Sequence, residues 1–489
     1  MSPLLSVVVP FYNVAGYLGD CLESVARQTL HDLEVVMVDD GSADDGAEIA
    51  EAFAARDTRF RLVRQENRGL GLARNTGVLH STGRYLAFVD SDDVVPRYAF
   101  DLMVSSLEET GSDIACGGVR RMGVAGLQRS PMHEETFRVD RRRTHVREFP
   151  ELLRDRTAWN KVFRRSFWDA HGFRFPAGLY EDIPVTVPAH VLAEKVDVLR
   201  DVVYHWRVRE TGPRSITQRR TEPGNLADRM RSVRTVSDFL ARNAPDLKDA
   251  YDKFALVDDI RLYVNVIDRC DDAYRRAFLT LVNDFLDRVS PDLCADLPAL
   301  DRLKFHAVRE RLTGELVEIV SFAKSSPERH SAVRRPDRPD RWYGDYPYLG
   351  DPRFPDHLYE LGGELKLTTG VDEVGWRRGR LRVAGHAYIA RLDAPERDDT
   401  EIKVQVRGPG KVLDCAVKRV RRPDVTAASG QATACHDWSG FTVEIDPAEL
   451  GAGEGVWQIH VTVIAKGVRR RGRLNMPSRP GTWPPAREI

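Results

Sequence analysis

The first 210 residues alternate short apolar runs with segments in which apolar residues recur every three or four positions. Clear apolar runs lie at residues 6–9, 33–38 and 85–89. Between the first two runs, the apolar residues from Tyr17 to Val25 fall at helical spacing. Short strands joined by amphipathic helices are typical of an α/β fold with a mainly parallel sheet. The pattern therefore predicts an α/β domain at this end of the chain.

The pattern changes beyond this region. Residues 226–322 keep helical spacing, whereas residues 325–355 are rich in Pro, Arg and Asp and indicate an irregular linker. After residue 360, apolar and polar positions alternate in short runs separated by Gly and Pro turns, which favours a β-sandwich. The predicted organisation is an α/β domain at residues 1–222, a helical linker domain at 223–325, an irregular linker at 326–360 and a β-sandwich at 361–489.

Composition argues against several classes of function. The 489 residues include 73 basic and 74 acidic side chains, so the near-zero net charge gives no global attraction to nucleic acid. The first residues lack the pattern of a secretory leader, and no run of about 18 apolar residues predicts a membrane span. The six cysteines form no C-x-x-C pair, which argues against a zinc site or a disulfide framework. We expect a cytoplasmic protein with reduced thiols and no nucleic-acid partner.

Polar residues follow each apolar run, at the strand ends where ligands bind in open α/β sheets. Asp90-Ser91-Asp92-Asp93 follows the third run. Asp90 and Asp92 are two residues apart on an extended segment, so they point the same way about 6.6 Å apart. Such a pair can serve one nucleotide and one divalent cation, which neutralises a departing diphosphate. The alternative is a helix N-cap or a solvated acidic turn.

Three further motifs accompany this acidic segment. Pro10-Phe11-Tyr12-Asn13 follows the first run, Val38-Asp39-Asp40-Gly41-Ser42 ends the second, and Asn67–Gly77 reads N-R-G-L-G-L-A-R-N-T-G. In order and spacing, the four motifs resemble the donor-binding half of family 2 inverting glycosyltransferases. The resemblance covers residues 5 to about 218. It implies a glycosyltransferase A fold, a Rossmann-like nucleotide-diphospho-sugar transferase domain, with a uridine diphosphate (UDP) sugar as donor and Mn²⁺ or Mg²⁺ as metal.

The resemblance implies roles in nucleoside binding for four residues. Asp39 would hydrogen-bond the uracil, and Pro10, Tyr12 and Asn67 would line the nucleoside pocket. The alternative for Asp39 is a cap on the next helix.

The resemblance also implies roles around the diphosphate. Arg74 would face the diphosphate, Asp90 would contact the ribose or assist the metal, and Asp92 would be the main metal ligand. The alternative for Arg74 is an ordinary surface ion pair.

The acceptor half of the resemblance lies at Leu179–Ile183, which contains the pair Glu181-Asp182. Asp182 is implied to be the general base, taking the proton from the attacking hydroxyl in a single in-line displacement that inverts the anomeric carbon. Glu181 would orient the acceptor. The alternative is a plain helix N-terminus, where carboxylates are stabilised by the helix dipole.

A final segment, Tyr204–Arg209 followed by Ser215–Thr217, resembles the part of the family that closes over the diphosphate. His205 would bind metal or phosphate, and Arg207, Arg209 or Ser215 would hold the leaving group. The family commonly has Tyr-x-Tyr-Arg here, so Trp206 is a departure that leaves Arg207 in place. A packed or solvated histidine is the alternative for His205.

Our hypothesis for the acceptor is a cell-envelope polymer such as teichoic acid or another polysaccharide, with N-acetylhexosamine as the transferred sugar. The layout resembles bacterial wall teichoic acid glycosyltransferases, which implies a homo-oligomer formed through the C-terminal β domain. We also expect peripheral association with the inner face of the membrane. Arg141–Arg143, Arg164 and Arg165 are candidates for a polyanionic acceptor, with a solvated charged face as the alternative.

Two other functions stay open. A catalytically inactive domain beside a lectin-like β module would be a glycan-binding scaffold, although the motif residues are all present. The chain would also fit the N-terminal part of a bifunctional teichoic acid polymerase, since residues 484–489 follow a linker-like stretch. Nucleotidyltransferases of the same fold are disfavoured, because they carry a Gly-rich phosphate loop where this chain has Pro10–Asn13.

Overall fold

The chain divides into two units, Met1–Leu293 (the N-terminal unit) and Cys294–Ile489 (the C-terminal unit). This division does not coincide with the predicted boundary at residue 222, so the predicted domain limits stay a prediction. Residues 484–489, which follow the linker-like stretch, lie outside the described part of the chain. The computed structural model describes residues 2–209, 215–325, 330–450 and 456–474.

A mixed sheet runs through the N-terminal unit, in the order β3-β2-β1-β4-β8-β5-β9-β7 with β6 paired to β5. The first four strands of that order are parallel, while β8 runs antiparallel to both of its neighbours. All seven residues of the central strand β1 are buried, as expected for a strand covered on both faces. The strands are β1 Leu5–Phe11, β2 Leu33–Asp39, β3 Phe60–Arg64, β4 Tyr85–Phe88, β5 Ile114–Gly123, β6 Gly126–Arg129, β7 Arg141–Thr144, β8 Lys161–Arg164 and β9 Val196–Arg207.

Helices complete this unit. The predicted crossover helix between the first two strands is α1, whose buried residues Leu18, Cys21, Leu22 and Val25 form one apolar stripe. The helices are α1 Ala15–Ala26, α2 Gly46–Arg56, α3 Leu70–Leu79, α4 Ala99–Thr110, α5 Pro131–Glu134, α6 Arg165–His171, α7 Ile183–Leu192, α8 Pro223–Asn243, α9 Pro245–Phe254, α10 Arg261–Val264 and α11 Asp272–Leu286, with a π-helix at Ala255–Ile260.

The parallel register brings the predicted strand ends to one edge of the sheet. Phe11 at the end of β1 is paired with Asp39 at the end of β2. On the other side, Val8 is paired with Phe88 of β4, two residues before Asp90. The loops after β1, β2 and β4 therefore meet, which confirms the predicted α/β arrangement of these strands.

Helix α3 lies unusually close to this part of the sheet. A Cβ atom on Gly77 would stand 2.2 Å from Cγ1 of Val8, and a Cβ atom on Gly71 would stand 2.4 Å from the Pro176 carbonyl oxygen. Both distances are shorter than van der Waals contact, so the two glycines allow α3 to approach β1 and the Pro176 loop. Arg74 projects from α3 between them.

The C-terminal unit combines helices with two antiparallel four-stranded sheets, ordered β12-β13-β17-β16 and β15-β14-β18-β19. Alternate residues of β13, β14, β17 and β18 are buried, as in a β-sandwich. Described residues of the predicted irregular linker include a hairpin of β10 and β11. The elements are α13 Ala299–Arg309, α14 Thr313–Ser325, α15 Pro423–Ala428, α16 Pro447–Leu450, β10 Ala332–Arg335, β11 Arg338–Gly344, β12 Leu367–Arg377, β13 Arg380–Ile389, β14 Thr400–Gly408, β15 Lys411–Cys415, β16 Lys418–Val420, β17 Gly440–Ile445, β18 Gln458–Ala465 and β19 Val468–Arg473, while α12 Pro291–Ala295 lies at the division between the units.

In the described part of the chain, no helix combines the length and the apolar character needed to cross a membrane.

Candidate active site

The loops that follow β1 and β2 are tied together by Asn13. Its side-chain oxygen accepts a hydrogen bond from the Ala43 amide at 2.8 Å, and its own amide donates to Ser42 Oγ at 3.2 Å. Asn13 adopts a left-handed conformation with φ of 51°, which asparagine tolerates well. The neighbouring Tyr12 keeps 48% of its surface exposed at this edge, whereas Pro10 is buried within β1. Of the two, Tyr12 therefore offers its side chain to a ligand.

Asp39 and Asp40 accept hydrogen bonds from different loops. Asp39 is 5% exposed and its Oδ1 accepts from the Ser42 amide at 2.9 Å, which closes the turn after β2. The next helix, α2, begins at Gly46 with Asp45 as its N-cap, so the alternative role of Asp39 as a helix cap is not observed. Asp40 holds the loop before α3, accepting from the amides of Arg68 at 2.9 Å and Gly69 at 2.8 Å. That loop carries Asn67, which is exposed and whose backbone lies next to Gly41. The role of Asp40 escaped the sequence analysis, although the acidic pair before Gly41 was a visible signal.

The segment Asp90–Asp93 is supported by an aromatic pair, Tyr204 and Trp159. The Asp90 amide donates to the Tyr204 hydroxyl at 3.0 Å. The Tyr204 ring stacks on Trp159 with ring centroids 4.2 Å apart. Val94 and His205 exchange backbone hydrogen bonds of 2.9 and 3.2 Å, which joins the acidic loop to β9. Trp159 therefore supports the acidic loop through Tyr204.

Arg74 lies at the centre of the site and is 1% exposed. Its guanidinium donates to Asp90 Oδ1 at 2.5 Å and also forms a buried ion pair with Glu181. A buried cation needs such partners, because the protein interior solvates charge poorly. Arg74 thus joins the acidic loop after β4 to the Glu181-Asp182 pair. This position differs from the diphosphate-facing one that the resemblance implies, and that role stays a prediction.

A second group of polar contacts joins Asp92 to Arg207, the last residue of β9, and to Arg209, two residues beyond it. Arg209 Nε donates to Asp92 Oδ2 at 2.7 Å, and Arg207 Nε donates to the Asp92 carbonyl at 2.7 Å. Arg207 also reaches Asp20 at 3.2 Å. Burial raises the pKa of Asp92, against the lowering effect of Arg209, and the neighbouring charge of Asp90 raises it further. Arg207 thus lies at the acidic loop, and its role in holding the leaving group stays a prediction.

The carboxylates of Asp90 and Asp92 are the candidate metal ligands of the acidic loop. Within the described residues, no three His, Cys, Asp or Glu side chains are grouped to hold a metal ion. Asp90 and Asp92 nevertheless keep 24% and 20% of their side chains exposed. Mg²⁺ and similar ions commonly use one or two carboxylates and complete their coordination with substrate phosphates. The pair therefore fits a metal that arrives with a nucleoside diphosphate.

His205 is half-buried on β9, and burial, together with Arg120, lowers the pKa of its imidazole. Its predicted role as a metal ligand stays a prediction.

Glu181 and Asp182 occupy the start of α7. Glu181 is 4% exposed and bound to Arg74, whereas Asp182 is partly exposed. Asp182 Oδ1 accepts from the Ile183 amide at 3.0 Å, so it caps α7 as the alternative role expected. Burial raises the pKa of both carboxyl groups, while Arg74 acts against that effect. Of the pair, Asp182 is the one with solvent access, as a base requires. The orienting role of Glu181 toward an acceptor stays a prediction.

Residues 6–172 match the family model described as glycosyl transferase family 2. This region is a family 2 glycosyltransferase domain. Its four predicted donor motifs lie inside the matched region, and the Glu181-Asp182 pair lies just beyond it.

Two curated relatives extend the comparison. EpsH of Bacillus subtilis (strain 168) is 33% identical over 212 residues, which span 42% of this chain and 61% of EpsH. The poly(ribitol-phosphate) β-glucosyltransferase of Bacillus spizizenii is 24% identical over 493 residues, spanning 96% of this chain and 72% of the relative. The chain thus covers under two thirds of EpsH but most of the second relative.

Solved structures show the same fold. S. aureus TarS matches 97% of this chain and 78% of its own, with a TM-score of 0.61 and 15% identity. TarS 1–349 in complex with UDP-GlcNAc matches 73% of this chain and 99% of its own, with a TM-score of 0.55 and 19% identity. The glycosyltransferase A fold, the helical segment and the C-terminal β-rich module predicted from the sequence are thereby confirmed.

Proposed function

We propose that this protein transfers a sugar from a UDP-sugar to a hydroxyl group of a cell-envelope polymer, with inversion at the anomeric carbon. One observation carries the proposal: buried Arg74 joins the acidic loop of Asp90 to Glu181, next to the partly exposed Asp182. Arg74 thus links a carboxylate proposed to bind the donor to the neighbour of the proposed base. Donor binding and proton acceptance are the pair of functions that a transferase needs.

In the proposed reaction, Asp182 accepts the proton of the acceptor hydroxyl as the oxygen attacks the anomeric carbon. Attack opposite the leaving UDP inverts the configuration in a single step. When bound, Mn²⁺ or Mg²⁺ supplies positive charge to the departing diphosphate. Asp90 and Asp92 would hold the metal, while Arg207 and Arg209 lie where they can approach the diphosphate.

The nucleoside would bind at the loops after β1 and β2. Tyr12 and Asn67 are exposed there, and Asp39 lies at the end of β2. We take N-acetylhexosamine as the transferred sugar, supported by the UDP-GlcNAc complex of the TarS fragment that shares this fold. A teichoic acid-like acceptor is supported by the poly(ribitol-phosphate) β-glucosyltransferase, which aligns with nearly the whole chain.

A cytoplasmic location, peripheral membrane association and assembly through the β module remain part of the proposal. The six cysteines, all within the described part of the chain, form no disulfide with one another, as is usual in a reducing compartment.

The test measures donor binding, UDP release and transfer to poly(ribitol phosphate) across a panel of UDP-sugars, with Mn²⁺, Mg²⁺ or EDTA. Wild-type protein is expected to use one donor and to require metal. Asp92→Ala should lose metal-dependent donor binding. Asp182→Asn should bind the donor normally but transfer about 10²–10⁴-fold more slowly, which is the usual contribution of a general base.

Asp101→Ala is the matched control, because Asp101 is an exposed carboxylate on α4. It should behave as wild type in every assay. Wild-type protein that bound no nucleotide sugar under any metal condition would sink the enzyme proposal. Glycan binding without turnover would favour the scaffold alternative instead.

A further inference from the structure

The loop that presents Asp182 has a strained backbone. Tyr180, two residues before Asp182, adopts a left-handed conformation with φ of 62°. For a bulky side chain this conformation is uncommon and sterically unfavourable. Such a conformation persists only where surrounding contacts impose it. The contacts around Tyr180 therefore show what holds the candidate base in place.

Those contacts come from helix α8. Leu179 donates its amide to Asp228 Oδ2 at 2.9 Å, and Ser232 Oγ donates to the Tyr180 carbonyl at 2.9 Å. The Tyr180 hydroxyl donates to Asn225 Oδ1 at 2.9 Å. Asn225, Asp228 and Ser232 are spaced three and four residues apart, so they lie on one face of α8. That face clamps both the backbone and the side chain of the loop.

Helix α10 completes the support. The Tyr263 hydroxyl lies 2.6 Å from Asn225 Oδ1 and 3.0 Å from the Tyr180 hydroxyl. Tyr180, Asn225 and Tyr263 are all buried, so their polar atoms satisfy one another away from water. Removing one hydroxyl from this triangle would loosen the loop without leaving a charge unpaired.

Arg229 brings a positive charge to the same face of α8. Its guanidinium carbon lies 3.6 Å from the centroid of the Tyr180 ring, in a cation–π contact. Its NH1 pairs with Asp259 at 2.9 Å, and Asp259 is also paired with Arg156. The side chain of Arg229 is 11% exposed. Arg229 is therefore a fixed cation against the loop that carries the candidate base.

We infer that α8 and α10 form a clamp that positions the general base, with Arg229, Asn225 and Tyr263 holding Tyr180 and thereby fixing Asp182. This inference rests on the proposed function. It extends the working part of the glycosyltransferase domain to Val264, well past the matched residues 6–172 and past the predicted domain boundary at residue 222.

The clamp also has an electrostatic effect. Burial raises the pKa of Asp182, the cations of Arg74 and Arg229 lower it, and the anion of Asp90 raises it; adjacent Glu181 is buried beside it. Removing the charge of Arg229 therefore raises the pKa of Asp182 further. Since a base works only when deprotonated, the acid limb of activity would move to higher pH.

The test compares full-length variants by kcat, donor dissociation constant and the pH dependence of kcat. Arg229→Met is expected to lower kcat at least tenfold at neutral pH, to keep donor affinity within twofold, and to shift the acid limb to higher pH. Tyr180→Phe keeps the ring and the charge of Arg229, so it should lower kcat with the wild-type pH profile. The difference between the pH profiles of the two variants separates the effect of positioning Asp182 from the effect of the Arg229 charge.

Arg234→Met is the control, since Arg234 lies on the same helix but pairs with Asp284. It should match wild type. If Arg229→Met matched Arg234→Met while wild type was active, the clamp would be refuted and the proposed function would stand. Loss of donor binding in Arg229→Met would also overturn the clamp, because the residue would then support the whole domain. Inactive wild type across all donors would refute the proposed function itself.

Discussion

At the scale of single residues, Arg74 is the residue that connects the two halves of the candidate site. Its side chain is 1% exposed and is paired with Asp90 and with Glu181, whose own side chain is 4% exposed. Sequence motifs identified all three residues, but their mutual contact could not be predicted, because the partners lie 16 and 107 residues from Arg74. Local patterning gives strand ends and turns, whereas a buried ion pair depends on how distant segments pack.

Replacing Arg74 by Met should be strongly destabilising. It leaves a buried carboxylate without its partner, which typically costs about 3–5 kcal/mol. Urea unfolding followed by fluorescence would measure the loss. Arg27→Met removes an exposed pair with Glu23 on α1, so it should change the free energy of unfolding by at most about 1 kcal/mol. Equal effects of the two substitutions would contradict the central role of Arg74.

At the scale of elements, close approach of α3 to β1 sets the frame of the site. The strands β1, β2 and β4 could be predicted because their apolar runs are continuous and buried. The hairpin of β10 and β11 could not, since only Tyr343 and Gly344 of those strands are buried, β11 contains Pro339, and apolar alternation is lacking. Strands with so few buried residues have a sequence pattern that resembles that of a linker.

The approach of α3 gives a prediction at this scale. Gly77→Ala adds a methyl group 2.2 Å from Val8 Cγ1, so it should destabilise by about 1–3 kcal/mol although alanine favours helices. Gly19→Ala on α1 meets no heavy atom within 4 Å and should be neutral or stabilising by up to about 1 kcal/mol. Chemical denaturation of both variants measures the contrast. A neutral Gly77→Ala would mean that α3 can move away from β1 freely.

At the scale of the whole molecule, the N-terminal and C-terminal units each bury a core of their own. The first core surrounds the strands β1, β2 and β4, and the second lies between the two antiparallel sheets. Units with separate cores commonly unfold separately. The change in the spacing of apolar residues along the sequence predicted two different kinds of core. It did not predict that the helical segment α8–α11 belongs to the N-terminal unit.

Calorimetry should therefore resolve two unfolding transitions. UDP with Mn²⁺ should raise only one of them, because the proposed donor site lies wholly within the N-terminal unit. At 100 times its dissociation constant, a ligand stabilises the folded state by about 2.7 kcal/mol. ADP at the same concentration is the control and should shift neither transition. A single transition, or an equal shift of both, would contradict independent units.

The separation of 107 residues between Arg74 and Glu181 also sets the order in which they are synthesised. At ~5–20 residues per second, a ribosome adds Glu181 about 5–20 s after Arg74. The tyrosine that completes the support of Tyr180 lies in α10, which ends at Val264, so it emerges later still. The residues of the proposed donor site, which extend to Arg209, are thus all synthesised before the tyrosine that secures the loop of the candidate base. A nascent chain would pass through a stage at which the proposed donor site is complete in sequence while the support of Tyr180 is still missing.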